Sequence, residues 1–429
     1  MNKVTVIGAG LAGCEAAWAV ASRGIDVLLY EMKPKKFSPA HQSDGFAELV
    51  CSNSLKAIRI ESASGLLKAE MNKLGSLILD SAEKTSVPAG GALAVDRKLF
   101  SDLVTEKIRS NPRITVVNDE ITSIPDEGIV IIATGPLTSD ALSGDIAKRF
   151  GNAMLSFYDA AAPIVEFDSI DMDTAFFAAR YGRGDDDYIN CPMDKEQYEF
   201  FYNELINAQR AEVHEFDKKK IYEGCMPVEI LAARGIDSIR FGPLKPVGLT
   251  DPKTGRRPWA VVQLRAENSN KTMYNIVGFQ TNLKFGEQKR VFSLIPGLQE
   301  ASFVRYGVMH RNTFLDSPRL LNAKLQVKSE PRIRFAGQIT GVEGYIESAA
   351  TGIISGINAA NDIFGKNAAI PSEYTMLGSL LRYVSDESVA CFQPMGANFG
   401  LLPKLDEHIR DKQQRYNILA QRALKEYAD

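Results

Sequence analysis

An α/β fold is predicted: a doubly wound, Rossmann-type domain with a smaller α+β domain inserted into it. Three observations carry this expectation. The chain opens "KVTVIGAGLAGCEAAWAVASRG", an apolar strand, a glycine turn and an Ala-rich helix. A second buried-type strand, "GIVIIATGP", lies at 128–136. A third, "RIRFAGQITGVEGYIESAATG", runs from 332 into a glycine-rich turn and a helix of small residues reaching to about 360. Apolar runs alternating with helical patterns belong to a doubly wound sheet.

The first element has a mechanical reading. Gly8, Ala9, Gly10 and Gly13 form a G-x-G-x-x-G turn between strand and helix, and "IDVLLYE" gives a second strand ending on Glu31. Gly8 permits the tight turn, Gly10 lets backbone approach a pyrophosphate, and Gly13 seats the helix on the strand. The helix N-terminus offers unpaired N–H groups and partial positive charge to phosphates. Glu31 is placed to accept from both ribose hydroxyls of an adenosine, which disfavours a 2′-phosphate. A dinucleotide site is therefore expected.

The two later strands distinguish among dinucleotides. Thr134 and Gly135 of the Ala-Thr-Gly strand, with Gly337 and Gln338 of "FAGQ", give a pattern that resembles two-dinucleotide flavoproteins. There the late strand and helix return to the first sheet and cover the flavin end of FAD. A helix starting near Gly344 would present its N-terminus to the flavin ring. The resemblance thus implies FAD.

Between these parts, 151–300 reads as an inserted α+β substrate domain, leaving 1–150 plus 301–429 as a discontinuous FAD-binding domain. A helix is expected from about Lys195, and "RPWAVVQLRAEN" and "TMYNIVGFQTNL" read as strands joined through "NSNK". The "EQKRVFSLIPGL" stretch predicts another helix, and the tail after about 370 reads as helical. Residues 210–290 hold fifteen Lys and Arg against nine Asp and Glu, although the whole chain has a net charge of −3. Lys218, Lys219 and Lys220, Lys253 with Arg256 and Arg257, and Lys289 with Arg290 are the clusters. Such a local basic excess suits a polyanionic substrate, and equally a solvated charged face.

Composition excludes several classes. With 45% hydrophobic and 24% charged residues, the chain is ordinary globular protein rather than disordered or collagenous. No apolar run is long enough for a membrane span, and the N-terminus has no signal-peptide pattern. The five cysteines, Cys14, Cys51, Cys191, Cys225 and Cys391, contain no C-x-x-C pair. That pattern argues against a disulfide framework and a metal cage, and fits a reducing, cytoplasmic setting.

Two cysteines are candidate nucleophiles. Cys225 in "YEGCMPVE" has no thiol neighbour in sequence. Cys51 in "ELVCSNSLKA" is expected beside the N-terminus of a helix capped by Ser52 or Asn53 and continuing through "SLKAI". Positive potential there would favour a thiolate. Cys14, within the first helix, reads as core. For Cys225 and Cys51 a structural role and a reactive one remain open on the residues alone.

The strings "ELVCSNSLK", "VPAGGALAVDR", "YEGCMPVE", "GFQTNLKFGEQKRVFSLIPGL", "RYGVMHRNTFLDSPRLL" and "FAGQITGVEGYIESAATG" are similar to the TrmFO family of folate- and FAD-dependent RNA uridine-5-methyltransferases. The likeness runs from the first strand to about residue 365, with a more distant likeness to the MnmG (GidA) flavoproteins. It implies 5-methyluridine formation, usually in the tRNA T-loop, with ribosomal RNA as the alternative target. It implies 5,10-methylenetetrahydrofolate as carbon donor, FAD as reductant, and NADPH or NADH to re-reduce it. Under this resemblance Cys225 adds to uracil C6 and Cys51 removes the C5 proton. Tyr345 is suggested to hold the flavin ring, and His310 to meet the pterin. Arg311 is open between RNA phosphate and folate glutamate, and Arg97 between cofactor phosphate and shaping the site. His41 and Gln42 would lie near the flavin. A flavin NAD(P)H oxidoreductase acting on a small molecule is the competing class; no metal or membrane is expected, and oligomeric state is open.

Overall fold

The computed structural model describes residues 3–151, 154–160, 162–182, 185–211, 226–268, 270–307, 309–389, 392–407 and 409–427, without the side chains of 154–160 and 309–311. Its first sheet has the strand order Gln326–Val327, Glu330–Phe335, Ile129–Ile132, Lys3–Ile7, Asp26–Glu31, Ile114–Asn118. The last five are mutually parallel, and Gln326–Val327 is an antiparallel edge. Apolar runs suit these strands because both faces are covered: Val4, Val6, Ile131, Ile132, Ile333 and Phe335 are all fully buried. The late strand does return to the sheet begun at the N-terminus, pairing Ile333 with Val130 and Phe335 with Ile132.

Two helices on one face, Leu11–Ala21 and Tyr345–Ile363, approach to backbone contact. A Cβ on Gly352 would sit 2.2 Å from the Ala12 carbonyl oxygen, and one on Gly13 only 1.8 Å from the Gly8 oxygen. Gly352 lets the late helix dock on the N-terminal one, and Gly13 lets that N-terminal helix sit against the glycine turn.

A second, antiparallel sheet has the order Phe176–Phe177, Tyr188–Met193, Ala260–Ala266, Met273–Ile276, Ile164–Glu166, Phe303–Arg305. It has its own core, with Phe201, Phe279 and Phe292 among the buried rings. Helix Lys195–Asn207 begins where expected because Asp194 and Gln197 form a capping box. Helix Phe285–Phe292 buries Gln288, Val291 and Phe292. Strands Met154–Ala160 and Met309–Leu315 pair antiparallel as a separate ribbon. In the tail, Met376–Tyr383 and Lys412–Lys425 are helical, with a short 3-10 helix, Phe399–Leu401, between them.

One local expectation fails. The residues after Cys51 form a strand, Ser54–Ala57, and not a capped helix. This strand pairs antiparallel with Ala92–Val95 and drives Leu55 into the core. Long-range pairing satisfies backbone groups that a helix would have satisfied locally, and it outweighs the local propensity.

A candidate active site between two sheets

A cleft open to solvent runs along the C-terminal ends of the parallel strands. Its lining reaches from Gly10 and Glu31 to Cys51 and Tyr345, which suits a long ligand. One end is the glycine turn. Gly10 caps the helix Leu11–Ala21 without any side-chain cap bond, and a Cβ there would meet nothing within 4 Å. The first-turn N–H groups therefore remain available to an anion in the cleft. Glu31 lies at the same end, with one carboxylate oxygen accepting from Ala9 N at 2.8 Å and the other from Lys33 N at 3.1 Å. Lys33 is buried as well, and its ammonium donates to the Ser43 and Gly45 carbonyls. His41 lines the cleft and bonds Ser38 Oγ at 2.6 Å; burial and the Lys33 charge push its pKa down, favouring the neutral ring.

The cleft's other end holds Cys51 and Tyr345. The Cys51 Sγ lies 3.0 Å from the Tyr345 hydroxyl, and that oxygen also accepts from the Cys51 backbone N–H at 2.8 Å. Tyr345 is the first residue of the late helix, so the helix docking described above aims its ring at the thiol. Burial pushes the Tyr345 phenol well above its ordinary pKa, with the neighbouring Cys51 adding to the shift. The hydroxyl accordingly stays protonated and can donate to sulfur.

Residues 49–53 are tied to the second sheet. Arg97 donates to the Leu49 and Val50 carbonyls at 2.8 and 3.0 Å and pairs with Glu267 at 2.6 Å. Arg265 donates to Asn53 Oδ1 at 3.0 Å and Ser52 Oγ at 2.7 Å, while Asn53 donates onward to the Ala266 carbonyl. Burial opposes the Arg97 charge, but the Glu267 carboxylate outweighs it and raises its pKa. A guanidinium, and not a capped helix start, is thus the charged group beside the Cys51 loop. Arg305 stands close enough to Arg97, Tyr345 and Cys51 to feel their charges, and burial together with Arg97 lowers its pKa. Behind Tyr345, the fully buried Glu347 accepts from Lys56 Nζ at 2.7 Å and from Ala397 N at 3.0 Å.

Of the residues singled out from sequence, Gly8, Ala9, Gly10, Glu31, Cys51, Thr134, Gly135, Gly337, Gln338 and Tyr345 line this one cleft. Gly13 lies behind it as a packing residue. Arg97 sits at an Asp96-capped helix start and shapes the Cys51 loop instead of facing the glycine turn. Lys289 and Arg290 lie away from the cleft on helix Phe285–Phe292, where Arg290 is paired with Glu204 and Glu287. Gln42 is exposed, and its backbone N–H bonds Glu48. Cys225, Cys391 and Lys218 to Lys220 lie outside the described residues, as do the side chains of His310 and Arg311. Lys33, Arg265 and Glu347 were not foreseen as site residues, and Asn53 was read only as a helix cap; Asn53, Arg265 and Glu347 act through residues distant in sequence.

Comparison with known proteins places this geometry. The family model "Glucose inhibited division protein A" matches residues 3–367. A relative from Acetivibrio thermocellus, named methylenetetrahydrofolate–tRNA-(uracil-5-)-methyltransferase TrmFO, is 62% identical over 99% of this chain and 98% of its own. The chain belongs to the TrmFO family. A second TrmFO, from Desulforamulus reducens, is 58% identical over 99% of this chain and 96% of its own. Among solved structures, Aquifex aeolicus GidA superposes with a TM-score of 0.71 at 18% identity, covering 99% of this chain and 75% of that one. That likeness fixes the fold shared by the TrmFO chain and GidA.

Proposed function

We propose that the protein methylates uridine at C5 in tRNA, with 5,10-methylenetetrahydrofolate as carbon donor and FAD as its flavin. The observation that carries this reading is the Cys51–Tyr345 pair lining the same cleft as the glycine turn, in a chain so similar to named TrmFO enzymes. Residues 1–150 plus 301–429 serve as the FAD-binding domain and 151–300 as the RNA- and folate-facing insertion. The separate core of the antiparallel sheet supports a two-part division, but its edge strand Phe303–Arg305 carries the insertion past residue 300.

The cleft fits FAD. Gly10 leaves backbone N–H groups open to the pyrophosphate, Glu31 stands at the ribose position, and Gly337, Gln338 and Tyr345 lie at the flavin end. When bound there, FAD would supply the hydride chemistry that takes a folate-derived methylene to a methyl group, with NADPH or NADH as the reductant. The chain's own residues do the rest. A Cys225 thiolate forms an Sγ–C6 bond to uracil, which makes C5 nucleophilic towards the one-carbon unit. After the new C5–carbon bond forms, Cys51 takes the C5 proton as the carrier nitrogen leaves, giving an exocyclic methylene on the ring; reduction of that methylene to methyl then expels Sγ from C6 and restores both the ring and the thiolate. Tyr345, donating to Cys51 Sγ, and Arg97, beside it, keep the thiolate form accessible. The setting is cytoplasmic, where such thiols stay reduced.

Labelled methylenetetrahydrofolate, NADPH and the FAD-loaded protein are incubated with unmodified tRNA and, separately, ribosomal RNA fragments. Label in tRNA 5-methyluridine is expected; label in neither RNA overturns the reading, and label in ribosomal RNA alone moves the target.

A further inference from the structure

Phe285 opens the helix Phe285–Phe292 and is 55% exposed. Its ring lies on Tyr306 at 5.1 Å between centroids and 18° between planes, and Tyr306 lies on Phe303 at 5.3 Å and 8°. Three rings therefore stand in a near-parallel file whose outermost member faces solvent. Some core pairs are edge-on, such as Phe279 with Phe292 at 78°, and others tilted, such as Phe201 with Phe279 at 39°. Edge contacts fill a core in three dimensions, whereas a parallel file leaves one π-face for another flat group.

The file is held rigid from beneath. The fully buried Gln288 side chain bonds both backbone groups of Gly307, donating to its carbonyl and accepting from its N–H, each at 2.8 Å. That amide locks the helix carrying Phe285 to the segment carrying Tyr306, so a stacked ligand would meet a preformed surface. The charge around it is basic. Lys284 at the helix N-cap and Lys289 on the helix are exposed, while Arg290 is shared between Glu287 and Glu204. Arg305, between Phe303 and Tyr306, lies within electrostatic reach of Cys51 and Tyr345. The chain before and after residues 212–225 is also anchored just ahead of Phe285, through Ala211 N to the Asn282 carbonyl and Val228 N to the Gln280 carbonyl.

We propose that the Phe285–Tyr306–Phe303 file is a stacking platform for an unpaired RNA base beside the target uridine, with Lys284 and Lys289 meeting the adjoining phosphates. The inference rests on the RNA-methylating function above. A flat base explains the free π-face, and a polyanion explains the lysines beside it.

The test uses the FAD-loaded full chain with Phe285→Ala, Phe285→Leu and Phe285→Trp. Affinity for unmodified tRNA is read by fluorescence anisotropy at fixed salt, alongside the KM values for tRNA and for methylenetetrahydrofolate. Ala and Leu should each weaken tRNA binding and raise its KM about tenfold, at unchanged kcat and folate KM. Trp should restore affinity, and its added emission should be quenched by tRNA. Leu binding tRNA as tightly as wild type overturns the platform. So does a rise confined to the folate KM, which assigns the file to the pterin, or a change in self-association at unchanged RNA affinity. Should wild type methylate nothing, the functional reading fails while the affinity series still judges the platform.

Discussion

The glycine-turn end of the cleft and its thiol end are built by opposite means. At the first, a strand, a turn and a helix within twenty-odd residues make the whole anion-binding surface, and Glu31 closes it from the next strand. At the second, no contact that matters is local. Cys51 meets Tyr345 across 294 residues, Ser52 meets Arg265 across 213, and Arg97 meets Glu267 across 170. Cofactor binding can therefore be lost by one local clash, whereas the thiol's setting depends on how two sheets meet. Mutations should separate these two failures.

The largest effect is expected at the local end. Gly13→Ala places a Cβ 1.8 Å from the Gly8 oxygen, a backbone atom that cannot swing away. Overpacking of this kind costs about 1–3 kcal/mol and here displaces the turn itself. The variant should purify without flavin absorbance and without activity. Full flavin content would refute the reading of Gly13 as the residue that seats the helix.

Next come the thiols. Cys51→Ala and Cys225→Ala should each lower methylation by at least about a thousandfold, as expected when a covalent or proton-transfer group is removed, with bound flavin unchanged. An RNA carrying 5-fluorouracil should form a stable covalent adduct with wild type, since no C5 proton can leave. If Cys225→Ala still traps that RNA on a denaturing gel, addition to C6 belongs to another residue.

An intermediate loss is expected from the tie between the sheets. Arg265→Met keeps much of the buried stem but leaves Asn53 Oδ1 and Ser52 Oγ without their charged donor. Hydrogen bonds to charged groups contribute about 1.5–3 kcal/mol, so kcat should fall roughly ten- to a hundredfold. Flavin content and the tRNA KM should hold. A fall in flavin content instead would mean that the two ends of the cleft are not separable.

The same contrast explains what could be read from residues alone. Turn, strand and helix at 3–31 were legible because each glycine acts on its immediate neighbours. Return of the late strand was legible only through the resemblance of "FAGQ" and its small-residue helix to flavoproteins, since Arg332 and Arg334 interrupt the apolar positions Ile333 and Phe335. The surroundings of Cys51 were not. Ser52 and Asn53 are good helix caps in isolation, and nothing local announces that Ala92–Val95 will claim Ser54–Ala57 as a strand partner. Arg265 and Glu267 were only two among the charges of residues 210–290, whereas Arg265 bonds Ser52 and Asn53 and Glu267 holds the Arg97 that bonds Leu49 and Val50.

The smallest effect should come from Tyr345→Phe. The ring, its burial and its place at the helix start all survive; only the hydroxyl goes. In wild type that oxygen accepts from Cys51 N–H at 2.8 Å and lies 3.0 Å from Sγ. Because burial holds the phenol well above its ordinary pKa, it remains a proton donor to sulfur throughout the working pH range. Removing it takes a hydrogen bond from the thiolate form of Cys51 but none of the positive potential from Arg97. Sulfur then binds its proton more tightly, and the limb along which activity rises with pH should move to higher pH. At pH 7 the variant should be about tenfold slower, the scale of one charge-assisted bond, and should recover much of that loss as the pH is raised. Flavin content should stay at the wild-type level. An equal loss at every pH would mean that the hydroxyl only positions the loop through the Cys51 N–H, with no part in tuning the thiol.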